Sequence, residues 1–277
     1  MEIKPRYDGP PIVTVAEEGD CSAAFVRQRE RLAATLESLS GEEWASPTRC
    51  ERWTVQDVVS HLVTVNQFWA YSITSGLAGE PTRLLAGFDP KATPAALVEA
   101  VGSVAPAETR AKLVESSEAL CALVGGLDAE GWSTLAEAPA GLIPIRMLAR
   151  HALWDCWVHE RDIVLPLGRP AVVEPDEVMA SLECVAGLGP AFVLSLGRAT
   201  PATLVLETTE PDGRVVVEVA EDGITIGDLA VEEPTLVLRG RAVDLVEGLS
   251  ARAPLRGTVP DEHRWLVASL AEVFEAT

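Results

Sequence analysis

The chain changes its hydrophobic period once, near Gly168, and this break limits the fold more than any other feature. From Asp20 to about Leu165 the apolar residues recur at helical spacing. Cys21 to Leu39 carries Phe25, Leu32, Leu36 and Leu39 on one stripe. Thr54 to Ser75 reads as a second helix, with Thr54 as N-cap and Asp57 closing an acidic variant of the capping box. Pro94 to Leu127 is a third helical stretch, predicted to break between Gly102 and Pro106. Pro144 to Val164 is a fourth, with Pro144 in the first turn. Four successive helices predict a helical bundle over residues 1–168.

Beyond Gly168 the segment LGRPAVVEPDE reads as a linker into a helix from Pro175 to Leu196. The period then falls toward two. Thr203–Thr209, Arg214–Val219, Ile224–Asp228 and Thr235–Arg239 read as short strands. Asp212-Gly213 and Asp222-Gly223 are expected hairpin turns, because glycine accepts the positive φ of tight hairpins. Two helices close the chain, at Val243–Ser250 and Asp261–Glu275. The predicted class is therefore α+β. A four-helix bundle, 1–168, is followed by a smaller α+β domain, 169–277, with an antiparallel sheet.

Charge limits the partners. The chain has 42 acidic against 22 basic residues and a formal net charge of −20. Nucleic acids and anionic membranes both need clustered Lys and Arg, so neither is expected as a partner. A small molecule is. The N-terminus lacks a basic-then-apolar signal pattern, and Gly187, Gly189 and Pro190 interrupt the least polar stretch, Val185–Leu196. No segment is expected to reach the roughly 18 apolar residues of a membrane span. The five cysteines are odd in number, scattered and without a CxxC pair, which predicts a reduced cytoplasmic chain with inert thiols.

Only four histidines are available for chemistry: His61, His151, His159 and His263. His151 and His159 lie on the fourth predicted helix, where Asp155 and His159 fall within about 40° of each other at about 100° per residue. His151 and Asp162 flank them on the face that should meet the core. Burying such groups costs several kcal/mol unless they are paired or bind a metal. His61 sits at the edge of the apolar face of the second helix. His61, Asp155 and His159 together would form a metal site with open positions, as in catalytic zinc and non-haem iron centres. An aspartate and histidines satisfying one another is the alternative on spacing alone. His151 is a candidate pocket acid or base, and Asp162 a support behind the ligands. His263 reads as a surface residue. No G-x-S-x-G, H-E-x-x-H, P-loop or G-x-G-x-x-G motif occurs.

The segment S-P-T-R-C-E-R-W-T-V-Q-D-V-V-S-H-L-V, Ser46 to Val63, resembles the second-helix signature of mycothiol-dependent maleylpyruvate isomerase-like proteins, which are DinB-like metal-binding bundles. W-D-C-W-V-H-E-R-D-I, Trp154 to Ile163, resembles that family's second motif. The C-terminal half resembles the sterol-carrier-like domain that accompanies the bundle, and A-V-D-L-V-E-G-L-S-A-R-A-P-L, Ala242 to Leu255, matches its pattern ending in an arginine. The resemblance implies that His61, Asp155 and His159 bind a divalent metal, usually zinc. It also implies mycothiol as thiol cosubstrate, in an isomerase or S-transferase acting on a small electrophile. Arg252, with Arg256 as the alternative, would hold a substrate carboxylate; a surface ion pair with Asp or Glu is the other reading of Arg252. Two departures stand out. The family carboxylate is usually Glu where this chain has Asp155, and R-G-T-V-P-D-E replaces the usual Gly-Asp turn near the end. A thiol-independent metal-assisted step in specialised metabolism, or a non-catalytic ligand-binding or regulatory role, are the other readings of the same scaffold.

Overall fold

The computed structural model describes every residue except 1–2, 17–18, 91, 103 and 276–277. Its elements are β1 (Val13–Val15), α1 (Ser22–Glu37), α2 (Gly41–Trp44), α3 (Val55–Leu77), α4 (Ala92–Val101), α5 (Pro106–Gly125), α6 (Ala129–Ser133), β2 (Leu135–Ala138), β3 (Gly141–Pro144), α7 (Ile145–Val164), α8 (Pro175–Ser195), β4 (Ala202–Thr209), β5 (Gly213–Val219), β6 (Ile224–Gly227), β7 (Leu236–Arg241), α9 (Ala242–Leu249) and α10 (Trp265–Glu275).

Helices α1, α3, α5 and α7 build the bundle. The start of α3 is held as its sequence predicts. Thr54 Oγ1 accepts from Asp57 N, and Asp57 Oδ2 accepts from Thr54 N at 2.9 Å, a reciprocal capping box. The third helical stretch breaks between α4 and α5, where Gly102 takes a φ of +68° and Pro106 opens α5. The hairpin β2–β3 lies in a segment the periodicity leaves unassigned, and it packs across α3. Its placement leaves no room for a side chain at Gly76, where a Cβ would come within 2.4 Å of the Leu135 carbonyl oxygen.

The larger sheet has the strand order β1-β6-β5-β4-β7. The meander β4–β5–β6 is antiparallel, as expected, but β1 runs parallel to β6 and β7 parallel to β4, so the sheet is mixed. Two connections cause this. The segment ahead of α1 crosses to the second half and pairs Val13 with Ile224, and the chain after β6 returns across the sheet to place Leu236 beside Leu204. The hairpins occur where expected, but neither Gly213 nor Gly223 has a positive φ; the left-handed residue of the first turn is Glu210, at φ 53°.

Helix α8 packs against α7 on one side and against α9, α10, β5 and β6 on the other. By length and composition Pro175–Ser195 would suffice to cross a bilayer, contrary to the sequence expectation, and 83% of its most apolar stretch is buried within the protein. Gly187 lets α8 approach the sheet, since a Cβ there would lie 2.2 Å from Ile226 Cδ1.

Candidate metal centre

Helix α3 brings His61, and helix α7 brings Asp155 and His159, to one point in the bundle. His61 Nε2 lies 3.8 Å from Asp155 Oδ2, and His159 Nε2 lies 3.6 Å from Asp155 Oδ1. The two imidazoles meet edge to face, with centroids 4.9 Å apart. These separations are too long for good hydrogen bonds. They approach the roughly 3.3 Å between ligand atoms that each lie about 2.0 Å from a tetrahedral zinc. Asp155 Oδ2 and His61 Nδ1 are buried and have no hydrogen-bond partner among the described residues. A buried carboxylate oxygen left unpaired between two imidazoles fits a divalent cation better than it fits self-satisfaction. Burial opposes ionisation of Asp155, but the two histidines outweigh it and hold the carboxyl well below the usual carboxylate range.

The other nitrogen of His159 is engaged. Nδ1 lies 3.0 Å from Oδ2 of the fully buried Asp162. Asp162 also accepts from Arg49 Nε at 2.9 Å, from Arg252 Nε and Nη2 at 3.0 Å, and from Cys50 Sγ at 3.2 Å. Burial alone would lower the pKa of His159, but hydrogen bonding to Asp162 and Cys50, together with the charge of Asp155, pushes it up to about 10. A carboxylate on Nδ1 fixes the ring and leaves Nε2 as the lone-pair donor once the second proton is displaced. Cys50, His159 and Asp162 form a second group of neighbouring donor atoms. Two guanidinium groups already grip Asp162, so a second cation there would face strong repulsion. Trp53 covers both rings, with its centroid 5.1 Å from that of His61 and 6.4 Å from that of His159.

The model described as the mycothiol maleylpyruvate isomerase N-terminal domain matches residues 25–164. The chain belongs to this family. Two crystal structures of the mycothiol-dependent maleylpyruvate isomerase, one of them a histidine-to-alanine mutant, superpose at 16% identity. Their TM-scores are 0.58 for the mutant and 0.59 for the other, and in both cases the match covers 87% of this chain and 94% of theirs. That likeness concerns the fold, a helical bundle joined to a sheet-bearing C-terminal part. No curated protein matches the chain.

Within this isomerase family member, the remaining predicted residues divide. Arg252 reaches the centre, but its guanidinium is bound to Asp162. Arg256 is exposed and lines a shallow cleft of about 280 Å³ with Arg239, Arg241 and Asp244, beside the first turn of α9. His151 is buried one turn from Asp155, with ring centroids 5.0 Å from Trp69 and 5.4 Å from Trp154. Burial lowers its pKa to about 4, which keeps the ring neutral. Arg49, Cys50, Trp53 and Glu247 were not singled out for this centre from the sequence. Cys50, grouped there with the inert thiols, is half-buried and hydrogen-bonded at the site. The first three lie inside the Ser46–Val63 signature, so a signal was present, but the roles of Arg49 and Cys50 depend on Asp162 lying opposite them, and that of Trp53 on the rings of His61 and His159.

Proposed function

We propose that the chain is a metal- and thiol-dependent isomerase or S-transferase, with His61, Asp155 and His159 holding a divalent cation, taken to be zinc, and mycothiol as cosubstrate. The observation that carries this reading is the unpaired, buried Asp155 oxygen between two imidazoles, one of them oriented by Asp162. The family supports the thiol. When bound, the cation supplies Lewis acidity and stabilises a thiolate. Asp162 keeps the remaining proton of His159 on Nδ1 once the Nε2 proton is displaced, so Nε2 turns its lone pair to the cation site. Trp53 shields the imidazoles from bulk water. Arg252 supplies a guanidinium that can grip a substrate carboxylate by a bidentate contact once it leaves Asp162. In the isomerase branch the thiolate of the cosubstrate adds to a conjugated double bond. Rotation follows about the resulting single bond, and expulsion of the same thiolate restores the double bond. In the transferase branch the adduct is protonated and released.

Metal analysis of protein purified without chelators tests the site, and calorimetric titration with mycothiol tests the thiol. Stoichiometric metal that His159→Ala loses, together with saturable mycothiol heat, is the expected pair of results. Metal-free preparations under all conditions would remove the metal reading, and a metal-loaded protein silent toward mycothiol would remove the thiol.

A further inference from the structure

We propose that Arg49, anchored by Glu247, is the positioning residue that holds Asp162, and through it His159, independently of Arg252. The inference rests on the metal-site reading above and extends it to residues outside the ligand set.

The contacts form a closed ring. Arg49 Nε donates to Asp162 Oδ1 at 2.9 Å, and the Arg49 backbone N donates to the Asp162 carbonyl at 3.2 Å. Its other two nitrogens, Nη1 and Nη2, donate to Glu247 at 2.6 and 3.2 Å. Glu247 in turn accepts from Arg161 Nε at 2.6 Å, and Arg161 precedes Asp162 on α7. All three guanidinium nitrogens of Arg49 are therefore engaged, and both ends of the ring return to the helix that bears His159. The loop that carries Arg49 is itself pinned, by the Pro47–Thr54 bridge and by Thr48 N donating to the Trp53 carbonyl at 3.1 Å.

Arg252 is held differently. Beyond Asp162 its guanidinium reaches the Ser250 carbonyl of its own turn at 3.4 Å and the Cys50 sulfur at 3.7 Å. If Arg252 swings to a substrate carboxylate, Asp162 keeps Arg49, His159 and Cys50. Without Arg49, that movement would leave a fully buried carboxylate with no cationic side chain but His159, a costly state. Two arginines on one aspartate thus have separable tasks. Arg49 is fixed and sets the orientation of His159, while Arg252 is available to substrate.

Zinc affinity, measured by competition with a chromophoric chelator, and the absorption spectrum of the cobalt-substituted protein test the assignment. Arg49→Met is expected to weaken zinc about 10- to 100-fold, the usual cost of losing an outer support, and to alter the cobalt bands. Glu247→Gln, which touches no ligand, should move both readouts in the same direction. Arg49→Lys should recover part of the loss by restoring charge beside Asp162. Arg252→Met should weaken zinc by less than about 10-fold, below the usual cost of losing an outer support. Wild-type affinity in both Arg49→Met and Glu247→Gln, or an Arg252→Met loss equal to that of Arg49→Met, would overturn the assignment while the metal site stands. Wild-type protein that binds neither ion, or His159→Ala that binds as wild type does, would remove the metal reading and the assignment with it. If Arg49→Met does not fold, Glu247→Gln and Arg49→Lys decide.

Discussion

At the residue scale, Asp155 and His151 share one helix face and one buried environment, yet they are set for different work. Asp155 is held ionised by two imidazoles, whereas His151 is held neutral between two indoles. Asp155→Asn removes the ligand charge, and its metal affinity should fall by more than the about 10- to 100-fold cost of losing an outer support; equilibrium dialysis measures it. For His151 the sign follows from its folded pKa of about 4, below the ordinary value of 6.5. The unfolded chain takes up the proton first, so stability falls as pH drops from about 6.5 toward 4. At pH 5 this amounts to about 2 kcal/mol. Urea unfolding at pH 7 and pH 5 should show His151→Phe losing that much less than wild type. The candidacy of these residues was legible because 3.6-residue periodicity alone places 151, 155, 159 and 162 on one face. What charge each would carry was not, since that depends on which rings pack against it.

At the element scale, helix ends do much of the positioning. The box at Thr54 fixes where α3 begins, at Val55, six residues before His61. Thr54→Ala should cost about 1 kcal/mol in thermal or chemical unfolding. The end of α9 is less obvious. Arg252 N donates to the Glu247 carbonyl and Ala251 N to the Gly248 carbonyl, with Ala251 at φ 57°. This is a Schellman turn with alanine where glycine is usual. It reverses the chain so that Arg252 points back at Asp162. Ala251→Gly should therefore stabilise the protein by about 1 kcal/mol, read as a raised midpoint in urea, without altering metal affinity. The first cap announces itself as T-x-x-D. The second has no glycine to announce it, and only the observed φ identifies it.

At the scale of the whole molecule, α8 is the hub between the bundle and the sheet, and its fit depends on Gly187. Gly187→Ala forces the Ile226 side chain aside in a packed layer, and a loss of about 1–3 kcal/mol is expected in denaturant titration. The division into residues 1–168 and 169–277 stands as our proposal for the folding units. The strand β1, from the first 20 residues, straps the bundle segment to the edge of the second half's sheet. The ring of Arg49, Glu247 and Arg161 joins α9 to α7 at the centre itself. Both links join segments far apart in sequence, and nothing in local periodicity records them.

Short-range order in the sequence determined the long bundle helices, α8 and the strands β4 to β7, the break near Gly168, the capping box and the face shared by Asp155 and His159. Each depends on residues a few positions apart, where backbone geometry dictates the neighbours. The tertiary structure alone decided the mixed sheet, the second arginine on Asp162, the place of Cys50 beside His159, and the engagement of Arg252. The contacts of Asp162 and Cys50 and the β1–β6 pairing join segments 90 residues or more apart. Their meeting is set by how apolar faces pack, a long-range property that no local pattern encodes.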